Sequence, residues 1–397
     1  MAEIEPEAVE TAQKFETTGS NQSGMRAHNE RLVLSILRRE GALPKADIAR
    51  RTGLSAQAVS VIMRALEADG LLEKGEKVRG KIGQPSVPIR LAPNGAYFLG
   101  LKVGRRSAEL VLVNFVGEEL AHLAETYDYP TPARTLDFAR RALAEVRGAI
   151  SPSDRARIAG MGIAMPFFLW EWAAIIGVED AKMAAWRECD LRSEIAALVD
   201  MPVWLGNDAT CACGAELVFG KAETPSDFLY IYIGYFVGGG IVLNGALYTG
   251  SSGNAGAIGP YPVRNADGQQ SQLVDVASLI GLERRLKAAG LDSSAIWDRP
   301  ATWAFDPSLI EDWLSEAVPA LSHMILGAQS VVDFSAVLID GHMPEAMRDR
   351  VVARVKDALG AQNLSGLSMP EIAPGTVGSR ARPLGAASLA LSKRFMV

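Results

Sequence analysis

Two short amphipathic runs, residues 45–52 and 56–66, are separated only by Gly53-Leu54-Ser55, and this spacing constrains the N-terminal part of the chain more than any other feature. Three residues allow little but a tight turn, and Ser55 is a good N-cap for the run that follows. Ile48 and Ala49 fall on the inward side of the first run. In the second, Val59, Ile62, Met63 and Leu66 recur at helical spacing, so both runs predict helices with one buried face. An earlier helix over residues 29–40 carries Leu32, Val33, Ile36 and Leu37 on one stripe and stops at Gly41. The order reads as helix-turn-helix. On its last helix Gln57, Ser60, Val61 and Arg64 form an outward stripe that begins beside Ser55. Such a face can enter a major groove, where Gln pairs with adenine and Arg with guanine. Short runs at 71–74 and 87–91 flank a loop containing Arg79, Lys81 and Gln84, which reads as a wing with a basic tip. A three-helix protein-contact module with an incidental basic loop is the alternative.

Charge favours the nucleic-acid reading. Residues 25–90 hold thirteen Lys or Arg against seven Asp or Glu, whereas residues 1–24 hold five Glu and one Lys. Because the whole 397-residue chain carries a net charge of −6, a small basic module is attached to a large acidic body. That asymmetry is the footprint expected for binding duplex DNA. The first 24 residues are expected to be a disordered acidic N-terminus, residues 25–91 the winged helix-turn-helix, and residues 96–397 a separate body. No apolar run reaches bilayer-spanning length and no secretory leader pattern opens the chain, so a cytoplasmic, membrane-free protein is expected. Three Cys and four His leave little scope for disulfides or metal chemistry, and no cofactor is expected.

Beyond residue 97 the pattern changes to α/β. Runs at 98–103, 108–113 and 118–127 predict three consecutive antiparallel strands. Helices follow at 132–148 and 191–199, with strands at 158–164 and 203–205 and a helix at 209–219. Strands at 228–233 and 239–243 open a second round that continues through long helices to a strand at 336–340. Two successive lobes predict a duplicated ribonuclease-H-like (actin-like) fold with a ligand cleft between them.

The winged helix followed by GNDATCACGAELVFG (residues 206–220), IGYFVGGGIVLNGALYTGSSGNAGAIG (residues 233–259) and a late LGAASLAL (residues 384–391) resembles the ROK family of repressors and sugar kinases. The DLRSEIAALVDMPVWLGNDA run leading into Asp208 is similarly family-like. The resemblance implies an operator-binding domain and a kinase-derived body that binds a sugar between its lobes. It also implies where kinase chemistry would reside. The family's Asp-x-Gly-Gly-Thr turn is replaced by Lys102-Val103-Gly104-Arg105-Arg106, and its Gly-Thr-Gly by Tyr235-Phe236-Val237. The metal-associated carboxylate is gone and two rings stand where phosphates need room, so no enzyme activity is expected. The family's zinc ligands are replaced by Pro260, Asn265, Asp267 and Gln272, which cannot build a thiolate and imidazole site. Cys211 and Cys213 lie two apart on a helix and read as packing residues. Gln84 stands where the family often has Arg in the wing, which argues against minor-groove insertion.

The resemblance puts ligand contacts at Asn207, Asp208 and the GNAG turn, with Asn254 and Gly256, while Ala257, Pro260 and Val274 replace other sugar-binding groups. The aromatic run 167–172 places Phe167 and Trp170 as candidate stacking surfaces for a less polar sugar, or as ordinary packing. Asp208 reads alternatively as the N-cap of the helix at 209–219. The expected partners are therefore palindromic double-stranded operator DNA, a sugar or sugar-derivative effector, and a second copy of the chain in a homodimer or dimer of dimers. The expected role is repression of carbohydrate uptake or catabolism genes. A regulator that has lost its effector and an active sugar kinase are the alternatives.

Overall fold

The structure, a computed structural model, describes residues 22–75, 87–221, 225–265 and 267–397. The chain opens with helices α1 (Gln22–Glu40), α2 (Lys45–Thr52) and α3 (Ala56–Ala68) and the antiparallel pair β1 (Leu72–Lys74) and β2 (Ile89–Leu91). Helix α1 starts seven residues before the expected position, and Leu34 rather than Leu32 fills the core beside Val33 and Leu37. Helix α2 closes on Gly53 at φ +69°, a left-handed position that glycine adopts without strain. The wing connects β1 to β2, so Arg79, Lys81 and Gln84 lie outside the described residues.

The first lobe contains β3 (Tyr97–Val103), β4 (Ser107–Asn114), β5 (Glu119–Thr126), β6 (Ile158–Met165) and β7 (Val203–Asn207), in sheet order β5-β4-β3-β6-β7. The second contains β8 (Phe228–Ile233), β9 (Val237–Leu243) and β10 (Ala246–Tyr248), the hairpin β11 (Pro262–Arg264) and β12 (Gln270–Gln272), then β13 (Ala336–Gly341) and β14 (Glu371–Pro374). Its sheet order is β10-β9-β8-β13-β14. In both sheets the first three strands are an antiparallel meander and the last two run parallel to the first, so the same topology occurs twice. The duplicated ribonuclease-H-like architecture read from the sequence is the one observed.

Helix α4 (Pro132–Val146) covers the first sheet, and α5 (Asp208–Phe219) follows β7 directly. In the second lobe α6 (Pro307–Val332) and α7 (Glu345–Gly360) pack on the other sheet, and α8 (Ala381–Phe395) returns the chain to the first lobe. Glycines let α8 approach closely. A Cβ on Gly162 of β6 would fall 1.8 Å from the Ala386 carbonyl oxygen, and one on Gly385 would fall 2.1 Å from that of Cys211. Helix α5 is buried on opposite sides: Cys211 packs with Ala164 and Ala386, Cys213 with Tyr230 and Tyr232 of the second sheet.

The helix-turn-helix is fused to this body, not strung from it. Its core residues Leu34, Leu37, Val59, Met63 and Leu91 share one cluster with Phe98, Val113 and Phe115 of the first sheet and Ala390 and Leu391 of α8. Phe395 meets Phe98 edge-on at 5.8 Å and Phe115 at 5.0 Å between ring centroids. The Arg38 guanidinium donates to the Phe115 carbonyl, and Arg157 donates to the carbonyls of Asp69 and Gly95. The two parts are therefore joined by a shared core as well as by the chain at residues 92–95. Among the described residues no helix is long and apolar enough to cross a membrane.

Candidate DNA-binding face and interlobe cleft

Helix α3 presents the expected stripe. The Ser55 side chain caps it by accepting from the Ala58 amide at 3.1 Å, while Val59, Ile62, Met63 and Leu66 are buried. Gln57, Val61 and Arg64 are exposed and Ser60 is half-buried. Ser60 donates its hydroxyl to the Ala56 carbonyl, and Arg64 donates from Nε to the Ser60 carbonyl. Neighbouring cations differ from Arg64. Arg50 pairs with Asp47 at 2.7 Å and Arg51 with Glu40 at 3.1 Å, whereas no described carboxylate pairs with Arg64. A 47% exposed Val61 between polar groups suits contact with a thymine methyl.

In the cleft, Asn207 and Asp208 stand where β7 gives way to α5. Here the structure reassigns a role: the helix begins at Asp208, and Asn207 is its N-cap, accepting from the amides of Ala209 and Thr210. Asp208 is 8% exposed and already has a partner, Arg382 of α8, whose guanidinium donates to Oδ2 at 3.3 Å. A ligand hydroxyl reaching Asp208 must share it with that cation. Burial opposes the Arg382 charge, but Tyr232, Asp208 and Glu109 around it raise its pKa above the usual arginine range.

The glycine-rich turn is organised by its own backbone. Gly256 has φ +82°, and a Cβ there would lie 2.8 Å from Gly240, so close packing on β9 requires this glycine. Asn254 is half-buried, and its carbonyl accepts from the Ala257 amide. Phe167 reaches this turn, its ring 3.8 Å from where a Gly253 Cβ would sit. Trp170 goes elsewhere, packing on the first-lobe core. Trp172 instead faces the second lobe, 4.8 Å from Phe236 between ring centroids. Of the two indoles, Trp172 is therefore the one that contacts the second lobe, because Trp170 packs on the hydrophobic first-lobe core.

Lys102 is 3% exposed and donates to Ser107 Oγ at 2.6 Å and Glu109 Oε1 at 3.0 Å. Tyr235 and Phe236 are buried against Trp297 and Trp172, and the Val237 amide donates to Ser278 Oγ at 2.8 Å. The backbone donor that a phosphate would use is occupied, and the rings fill the space. This loop does not fit a nucleotide triphosphate.

The zinc position does not fit its metal either. In the β11–β12 hairpin the Asn265 side chain accepts from the amides of Asp267 and Gln269, so it closes a turn. Gln272 caps the next helix reciprocally with Asp275. Trp172 lies in the aromatic run 167–172 but was not singled out from sequence, and Arg382 was not identifiable there at all. The LGAASLAL motif stops two residues short of Arg382, and no spacing rule ties it to a residue 174 positions away.

Comparison with known proteins agrees with this geometry. Residues 26–73 match a winged helix-turn-helix DNA-binding family and residues 98–393 match the ROK family. The chain is 23% identical over 244 residues to the xylose repressor of Bacillus subtilis, which spans 60% of this chain and 62% of that protein. It is 25% identical over 389 residues to a transcriptional regulator of Mycobacterium tuberculosis, spanning 91% and 84%. Among solved structures, a ROK family transcriptional regulator described as a homolog of the E. coli MLC protein superposes with a TM-score of 0.65 at 19% identity, covering 94% of this chain and 97% of that one. A ROK family glucokinase from Streptomyces griseus, in complex with glucose and AMPPNP, gives 0.55 at 19% identity over 74% and 99%. The kinase lacks a counterpart to about a quarter of this chain, whereas the regulator matches nearly all of it. With the family match running from the first strand of the body almost to the end of α8, on a duplicated lobe topology, the chain belongs to the ROK family.

Proposed function

We propose that this chain is a DNA-binding transcriptional repressor of carbohydrate uptake or catabolism genes, cytoplasmic and dimeric, whose operator affinity is set by a sugar or sugar derivative in the interlobe cleft. The observation that carries the reading is the outward stripe Gln57, Ser60, Val61 and Arg64 on α3 of a helix-turn-helix, whose cation has no carboxylate partner among the described residues. Palindromic half-sites about one helical turn apart match a two-fold pair of such helices. Names such as xylose repressor among its relatives support the carbohydrate class.

Absence of kinase activity is part of the same reading. Lys102 stands in place of a metal-associated carboxylate, Tyr235 and Phe236 fill the phosphate space, and Ser278 takes the Val237 amide. Asp208 without a phosphoryl donor serves as a charge and hydrogen-bond partner. Coupling between cleft and DNA runs along α8. Its first turn holds Asp208 through Arg382, and its last residue packs on Phe98 and Phe115 beneath the DNA-binding helices. The test is a gel-shift competition between a selected palindrome and random duplex. Wild type prefers the palindrome, and the Gln57→Ala/Arg64→Ala double variant loses that preference. Retention of wild-type selectivity by the double variant contradicts the assignment of α3.

A further inference from the structure

A guanidinium taken out of water needs an anion or a set of acceptors, and the cleft contains two whose set is incomplete. Arg105, between β3 and β4, is 7% exposed, makes no hydrogen bond or ion pair among the described residues, and leaves its buried Nε without a partner there. It reaches across the cleft to lie 3.8 Å from the centroid of Phe236 and 5.3 Å from that of Trp172. Arg382 has one carboxylate partner, Asp208, and its Nε is also unsatisfied. Two indole N–H groups, Trp172 Nε1 beside Arg105 and Trp297 Nε1 beside Arg106 and Tyr235, are also buried without acceptors among the described residues. Every orphaned polar atom in this set is a donor.

The charges around them lean the same way. Glu109 is committed to Lys102, His122 and Arg380, and Glu283 to Arg106 and Lys287. Among the described residues that leaves Asp208 as the one carboxylate acting on both Arg105 and Arg382. His342, packed on Trp297, has its pKa lowered to about 4, by burial first and then by Arg382 and Lys102. A neutral sugar would supply some acceptors but no counter-charge. A phosphate or carboxylate supplies both, in the planar two-point geometry that Arg favours.

Resting on the effector reading above, we propose that the cleft ligand is an anionic sugar, bearing a phosphate or a carboxylate group, with Arg105 and Arg382 as its charge partners. Trp172 and Trp297 donate to its remaining oxygens, and Arg105 exchanges the face of Phe236 for the anion.

The test is calorimetric titration of the full chain with glucose, glucose 6-phosphate, glucuronate and inorganic phosphate. At least one charged sugar is expected to bind tenfold or more tightly than glucose, and the two charged sugars distinguish phosphate from carboxylate. Arg105→Gln is expected to remove that margin and Arg105→Lys to restore part of it. Because Arg105→Gln also deletes an unpaired buried charge, its ligand-free melting temperature is expected to rise. Glucose binding as tightly as either charged sugar, no binding of either charged sugar, or inorganic phosphate binding as well as both overturns the proposal. So does a fall in the melting temperature of Arg105→Gln. Operator selection by the wild-type chain tests the regulator reading separately, so the two can fail independently.

Discussion

At Asn207 and Asp208, one strand end supports two different jobs. Asn207 holds the first turn of α5 through two amides, so Asn207→Ala is expected to cost about 1 kcal/mol, read as a lowered midpoint in urea. Asp208 balances Arg382, so Asp208→Ala is expected to remove the response of operator affinity to ligand, measured by fluorescence anisotropy with and without effector. His342 predicts a pH dependence. Its folded-state pKa, about 4, lies below the ordinary 6.5 because burial disfavours its charged form. Between these values the unfolded chain binds more protons than the folded one, so stability rises with pH. The contribution, at most roughly 3 kcal/mol, is complete above pH 6.5 and lost as pH falls toward 4. His342→Asn should flatten the acid limb of a denaturation series over that window. The outward stripe of α3 was legible from sequence because helical periodicity alone places it. The partner of Asp208 was not, because Arg382 reaches it only through the tertiary path of α8.

Helix α8 joins the two proposed sites. The LGAASLAL motif marks it in the sequence, yet the motif does not reveal that it lies against β6 and α5 at backbone distance. Gly162→Ala is therefore expected to be strongly destabilising, by about 3 kcal/mol or more, since the new methyl would meet the Ala386 carbonyl. At its far end Phe395→Ala opens the aromatic cluster shared with Phe98 and Phe115, at about 2 kcal/mol. Its informative readout is coupling. The variant should still bind its ligand calorimetrically while operator affinity responds less to that ligand. An unchanged response would move the coupling path away from α8. The strands read from sequence have boundaries within about two residues of those observed, helped by runs as apolar as β8, whereas stacking and ordinary packing both stayed open for Trp170 because only the fold distinguishes it from Trp172.

For the whole molecule, the two-lobe topology repeats the same strand order, and the DNA-binding helices share a core with the first lobe. That continuity was invisible in the sequence, where residues 25–91 and 96–397 read as separate parts. On the proposed reading, lobe geometry and recognition-helix geometry are coupled through that shared core, and linkage then requires operator DNA to change effector affinity by the same factor that effector changes operator affinity. The account's central claim, sequence-specific DNA recognition by α3, is tested most directly by selecting duplexes from a random pool and comparing wild type with the Gln57→Ala/Arg64→Ala variant. The account predicts that wild type enriches a palindrome with half-sites about one helical turn apart, and that the variant shifts or loses that preference by roughly 1–3 kcal/mol per lost base contact. Enrichment of the same palindrome to the same degree by both proteins, or of no sequence by wild type, would contradict it.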